Sequence, residues 1–206
     1  MNKLTMKENG FEYVDLGLPS GTMWATCNVG ANKPEDPGLL FQFGRVDGYR
    51  YGDINNKFRT NKQNKQDTGS EYTPLTASGK VYKTNDILDL KDDAAYINMG
   101  GKWRIPTNEQ LIELFNYSTY KVETINEVKG IMFTSVINDN KLFIPFVGIW
   151  SGWFCGTGSF TYILSSQVHA SYTHHACLLA CYSSGYACIF YNNRYFALPV
   201  RGVFKK

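Results

Sequence analysis

The chain has 206 residues, with aromatic residues at 15%, charged residues at 19% and a formal net charge of +3. That length fits one domain with a sizeable core, and the aromatic-rich, charge-poor balance excludes a disordered chain. Lys and Arg are spread rather than massed, which disfavours nucleic-acid binding, and no run approaches the ~18 apolar residues of a membrane span.

Met1 to Gly10 carries Lys3 and Lys7 but no apolar stretch between them, so no secretion signal is expected. Glu12 to Leu16 and Met23 to Val29 are short strand-like runs around a Pro19-Ser20-Gly21 turn, which reads as a hairpin. Pro34 suits a first helical position, and a brief helical turn is expected over Leu39 to Phe43. From Gly44 to Lys83 the chain is rich in Asn, Lys, Gln, Asp, Gly and Thr without a sustained period, and reads as a long surface insertion.

The best-defined local element follows Trp103-Arg-Ile-Pro-Thr107. Thr107 can cap a helix whose third position is Gln110, the arrangement of a capping box, and Glu109 sits where the helix dipole favours an anion. Leu111, Leu114 and Phe115 then recur at helical spacing, so the helix is expected to run from 107 to about 116 with that stripe on the core. Lys121 to Glu127, Gly130 to Val136 and Lys141 to Phe146 alternate as strands, with a turn at Asn138-Asp-Asn140. Pro145 puts the third of these at an edge or a bulge. The class is α+β, with strands gathered late and one firm helix.

The tail from Trp150 to Phe204 is unlike the rest. From Ser151 onward it contains no Asp or Glu, and its only full charges are Arg194, Arg201, Lys205 and Lys206. It holds His169, His174 and His175, together with Cys155, Cys177, Cys181 and Cys188, among many Tyr, Ser, Phe and Asn residues, without an evident period. Between Val168 and Val200 there is no Lys, Glu, Gln, Met or Trp. Those are the residues out of reach when the first two bases of an AAC or AAT codon are randomised. The fifth cysteine, Cys27, is expected to be a small buried hydrophobe. An odd cysteine count without a CxxC pair indicates neither a disulfide scaffold nor a structural zinc site.

Six blocks of the chain are similar to the ordered blocks of the FISUMP family of C-type-lectin-like domains. They are Val14 to Ala31, Asp92-Asp-Ala-Ala95, Gly101 to Thr107, Phe133-Thr-Ser135, Leu142 to Gly148 and Arg194 to Val203. The resemblance implies a single domain over residues 1–206. Its C-type-lectin-like fold would have paired terminal strands, few helices and a long irregular loop region, with an insertion at about 44–83 and a ligand-binding region at about 150–204. Within that fold the chain resembles the variable proteins of diversity-generating retroelements, often phage receptor-binding proteins, whose C-terminal segment is rewritten by adenine-directed mutagenesis. The resemblance implies ligand binding without catalysis or cofactor, at a phage tail tip or a bacterial cell surface. The implied partner is a macromolecule, a host or cell-surface protein or glycan.

On that reading Gly148, Gly156, Gly158, Ser165, Ser166, Ala176, Leu179, Leu198, Pro199, Val200 and Arg201 are scaffold. Trp24, Trp103, the capped helix and Leu142 to Phe146 carry the frame. One variable face would draw on Tyr162, His169, Tyr172, His174, His175, Cys177, Tyr182, Tyr186, Cys188, Phe190, Tyr191, Tyr195 and Phe196. Such a Tyr-, Ser- and Asn-rich surface resembles an antibody paratope, in which tyrosines supply rigid contact area.

Two other classes compete with binding. Trp-Arg-Ile-Pro-Thr before an acidic helix also resembles formylglycine-generating enzymes, which use a cysteine pair, but their Arg-x-Gly-Gly-Ser-Trp block is absent. His174, His175, Cys177 and Cys181 are potential metal ligands, yet adjacent histidines in a strand should point to opposite faces. The Glu-Pro-Asn and Trp-Asn-Asp signatures of calcium-dependent sugar binding are also absent.

Overall fold

The computed structural model describes residues 6–50, 65–67, 72–74, 76–150 and 154–206. Residues 51–64, 68–71 and 75 of the expected insertion therefore lie outside the described residues. The architecture is β-rich with few helices. β1 (Lys7–Glu8), β2 (Phe11–Asp15), β3 (Thr22–Asn28) and β16 (Arg201–Lys205) form one sheet in the order β1-β2-β3-β16. The first and last described strands thus share a sheet. In the β3–β16 ladder Trp24 lies opposite Val203 and Met23 opposite Phe204. On its other side Val203 exchanges two backbone hydrogen bonds of 2.8 Å with Arg104.

Because successive side chains alternate across a strand, β3 and β16 divide the interior. Met23, Ala25 and Phe204 join a cluster with Phe41, Phe43, Tyr82, Trp103 and Leu178. Trp24 and Val203 join another with Leu111, Leu114, Phe133, Leu142 and Ile144. Trp24 and Trp103 are both fully buried. The Trp103 indole donates to the Glu8 carbonyl at 2.9 Å, and its ring meets Phe204 edge-on at 4.9 Å.

The second cluster is bounded by an antiparallel meander of β7 (Ser118–Ile125), β8 (Val128–Ser135) and β9 (Lys141–Pro145). The first of these strands begins earlier than its alternation implies and ends before Asn126. Asn126 and Glu127 both have positive φ, 47° and 68°, the geometry of a two-residue hairpin turn. Pro145 ends the edge strand, where a missing N–H interrupts no central ladder.

The helix at Asn108–Asn116 carries the capping box in full. Gln110 N–H donates to Thr107 Oγ1, and Thr107 N–H donates to Gln110 Oε1. Leu111 and Leu114 are buried, with Phe115 packed beside them. A second helix at Ala94–Met99, not expected from periodicity, is capped by the Asp93 carboxylate. That carboxylate also accepts from Ile105 N–H and so ties this helix to the segment that leads into the capped one.

Two readings of the N-terminal half are corrected. Leu39 to Phe43 contains no helical turn. Leu40–Phe41 is β4, an extended pair against β15 (Leu198–Pro199), because the pairing buries both apolar residues where a helix would expose one. Nor is the far end of 44–83 surface: Thr76 and Tyr82 are buried, with the Tyr82 hydroxyl donating to Asp92 at 2.7 Å. β5 (Lys65–Asp67) and β6 (Tyr72–Pro74) pair within that segment.

Replacing Trp24 or Trp103 by Ala is expected to cost about 3–5 kcal/mol, as for other large core aromatics. Tyr172→Ala and Tyr186→Ala should stay within about 1 kcal/mol of wild type. Urea denaturation of the four variants checks the difference.

Candidate binding surface

The tail forms a sheet of its own. β12 (Phe160–Val168), β13 (His175–Tyr182) and β14 (Ala187–Asn193) run antiparallel in that order. A short pair, β10 (Ile149–Trp150) with β11 (Phe154–Cys155), precedes them. β13 is central, and both of its sides are covered. Leu178 and Ala180 enter the first core cluster, while Leu179 and Cys181 enter the second, beneath the capped helix. A strand covered on both sides shows no polar–apolar alternation, which accounts for the missing period.

The residues expected to be scaffold are placed accordingly. Ser165, Ser166, Ala176, Leu179, Leu198, Pro199, Val200 and Arg201 are buried. Gly148 has φ 75°, and an added Cβ would stand 2.3 Å from the Cys155 carbonyl oxygen. The Arg201 guanidinium donates to the carbonyls of Ala25 and Phe143, and burial lowers its pKa to about 10.

The residues expected on one variable face divide into separate groups. At the His175 end of the sheet, the six-residue connection His169–His174 folds over Tyr191. The His169 and Tyr172 rings stack at 5.2 Å, the His169 ring lies 4.1 Å from Tyr191, and His174 and His175 are 4.1 Å apart. Tyr172, Phe190 and Tyr191 are 46%, 44% and 37% exposed, and Phe190 stacks on Tyr191. His174 precedes β13 instead of lying in it, so the two histidines converge and do not point to opposite faces.

At the other end of β13, roughly 23 Å away at the ~3.3 Å rise of a strand, Phe160, Tyr162, Tyr182 and Tyr186 form a second aromatic group. Tyr186 is 60% exposed and Tyr182 and Cys188 are half-buried, but Tyr162 is buried. Its hydroxyl meets that of Tyr182 at 3.3 Å, and burial raises its pKa.

Tyr162 and Cys177 therefore do not belong to an exposed face. Tyr162 packs with Leu164 and Ala180 in the first core cluster. Cys177 is buried on the central strand, and burial pushes its thiol pKa up. Tyr195 and Phe196, both half-buried, pack toward Leu40 and Trp150 and toward the first cluster respectively. One continuous face is thus replaced by a His–Tyr group whose histidines are half-buried beneath exposed Tyr172 and Tyr191, a Tyr182–Tyr186 group and two residues turned elsewhere. The cause is position in the sheet: β12 and β13 are packed on both sides, which buries Tyr162 and Cys177, and the exposed aromatic residues fall at the two ends of β13 and on the edge strand.

Cys177 and Cys181 stand four residues apart on one strand, roughly 13 Å at a strand's rise. That is beyond the separation at which two thiols can pair. Cys27 is half-buried at a cleft of about 280 Å³ beside Thr26 and Glu12, with its thiol pKa raised chiefly by desolvation. Its expected full burial is not seen, because β3 is open to that cleft. Among the described residues no group of three or more His, Cys, Asp or Glu could hold a metal ion. No helix among them is long and apolar enough to cross a membrane.

Arg194 is the residue whose role composition did not reveal. Its side chain is buried, with the guanidinium 4.4 Å over the Phe43 ring, donating to the Thr173 carbonyl at 2.9 Å and the Tyr82 carbonyl at 3.4 Å. Its own N–H donates to His174 O at 2.8 Å. It therefore supports the 169–174 connection from the core side, and burial lowers its pKa to about 10, leaving it charged at neutral pH. In sequence, the cue was a lone Arg in a stretch otherwise free of charge.

Comparison of the chain with protein-family models, with curated proteins and with solved structures finds no match in any of the three.

Two outcomes are expected. Arg194→Gln should loosen the 169–174 connection, costing about 2–3 kcal/mol for the lost charged donors, with faster amide exchange there than along β13. Burial, then the charge of His174, holds the His169 pKa below its usual 6.5. The unfolded chain takes up that proton more readily, so the stabilisation is complete above about pH 6.5 and declines as pH falls through it. Melting temperature should drop between pH 7.5 and 5.5, and His169→Gln should flatten the slope.

Proposed function

We propose that the protein is a recognition module with a C-type-lectin-like fold. Its tail presents exposed aromatic side chains to a macromolecular ligand, and those positions are diversified by a retroelement. The observation that carries the reading is the division within one short stretch. Buried Ser, Ala, Leu and Arg residues hold the sheet, while Tyr172, Tyr186, Phe190 and Tyr191 stand outward from the same strands and turns. A few such aromatic residues commonly dominate interface energetics. An exposed aromatic group of this kind is what an isolated domain tends to avoid.

Binding is favoured over catalysis by the chemistry of the tail. It has no carboxylate to orient a histidine, and Cys177 and Cys181, the two cysteines of β13, are buried and too far apart to pair. The β3–β16 pairing and the scaffold glycine at 148 fit the fold of the FISUMP-like blocks. The set of residues absent between 168 and 200 fits adenine-directed mutagenesis. The ligand is expected to be a host or cell-surface protein or glycan, reached from a phage tail tip or a bacterial surface.

The reading is tested on the gene and on the protein. A repeat beside the gene should match its 3′ end except at adenines. Pooled substitutions at Tyr172, Tyr186, Phe190 and Tyr191 should keep the melting temperature within a few degrees and change which cells or surface extracts the protein binds. A stable pool with unaltered binding, or a repeat differing at other bases, rejects it.

A further inference from the structure

β14 is an edge. Its neighbour on one side is β13, and among the described residues no strand pairs with its other side. The direction of its backbone groups follows from the ladder's two ends. Tyr182 N–H donates to Tyr186 O at 2.8 Å, and Arg194 N–H donates to His174 O at 2.8 Å. Both pairs are in register with Leu178↔Phe190. Hydrogen-bonded pairs alternate with non-bonded ones along an antiparallel ladder, so Cys188, Phe190 and Asn192 turn N–H and C=O toward β13. Ile189 and Tyr191 turn theirs to the open side, and no backbone partner among the described residues meets them there.

Natural edges are usually guarded by Lys, Pro, a bulge or a short strand. β14 has seven residues, Ala-Cys-Ile-Phe-Tyr-Asn-Asn, with neither charge nor proline, and its pairing with β13 is continuous. The nearest charge in sequence, Arg194, is buried. Two copies of this edge would meet without like-charge repulsion.

We propose that this edge is a homodimer interface, in which β14 of one copy pairs antiparallel with β14 of a second about a two-fold axis at Phe190. The register is self-complementary. Ile189 of each copy falls opposite Tyr191 of the other, and both residues carry outward N–H and C=O groups, so each pair exchanges two hydrogen bonds. Phe190 meets Phe190 across the axis as a non-bonded pair, the closer kind, which suits an aromatic contact. The two three-stranded sheets become one of six strands. A two-fold axis perpendicular to that sheet leaves both His169–Tyr191 groups on the same side, close to each other. The hydrogen bonds run between backbones, so uncharged replacements at 189–191 leave the pairing in place, whereas a charge at the Phe190 axis opposes it.

Sedimentation velocity of the full chain from roughly 1 to 100 µM, where a micromolar dimer assembles, should show a shift from 23.3 kDa toward twice that mass. Phe190→Lys places two ammonium groups at the axis. Ile189→Pro removes an outward donor while leaving the β13 ladder intact. Each should weaken the dimer at least about tenfold with the wild-type circular dichroism retained, and Ile189→Val should dimerise as wild type does. If Ile189→Pro does not fold, Phe190→Lys decides. A wild-type chain that stays monomeric at the highest concentration, including one that instead captures a strand from another protein, overturns the proposal. So does a dimer that persists in folded Phe190→Lys.

Discussion

The ladder between β3 and β16 is the constraint on which the rest depends. It joins residues far apart in the chain, Trp24 to Val203 and Met23 to Phe204, and makes one wall shared by two cores. Arg104 closes the far side of β16 through its exchange with Val203, so the Trp103 segment and the capped helix are positioned by the chain's last strand. Contacts of such separation close long loops at an entropic cost. The large apolar area on both sides of the wall offsets that cost.

The tail sheet depends on this wall in turn. β12 and β13 supply residues to both cores, Leu164 and Leu178 to one and Ile163 and Leu179 to the other. A strand held on both sides leaves few outward positions, and those fall at its ends, in its connections and along β14. Exposure of Tyr172, Tyr186, Phe190 and Tyr191 is therefore a consequence of topology as much as of residue type. Substitution at these positions can alter contacts without opening the interior.

Buried arginines mark where frame and surface meet. Arg201 lies under β3, donating to backbone carbonyls of Ala25 and Phe143, and Arg194 lies under the 169–174 connection. A guanidinium fits such places because it keeps its charge when desolvated and offers donors in a fixed plane. Main-chain carbonyls as acceptors leave the outer side chains free to vary, since no particular neighbouring side chain is needed to hold the loop.

Local sequence determined the elements whose signals are local. Thr107 and Gln110 specify a helix start through their own hydrogen bonds, the Leu111, Leu114 and Phe115 stripe specifies which side is buried, and the β2–β3 and β7–β8–β9 runs are marked by strand-forming residues between turn signals. The odd composition of the tail was equally legible. Only the tertiary structure decided what depends on partners distant in sequence. It made Leu40–Phe41 a strand because Leu198–Pro199 lies beside it, and buried Tyr82 because Asp92 and Arg194 are there to meet it. It also split the expected aromatic face, sending Tyr162 and Cys177 inward and the His169–Tyr191 and Tyr182–Tyr186 groups to opposite ends of β13. A strand's side chains alternate from the moment it is extended, but which side becomes interior is set by what packs against it.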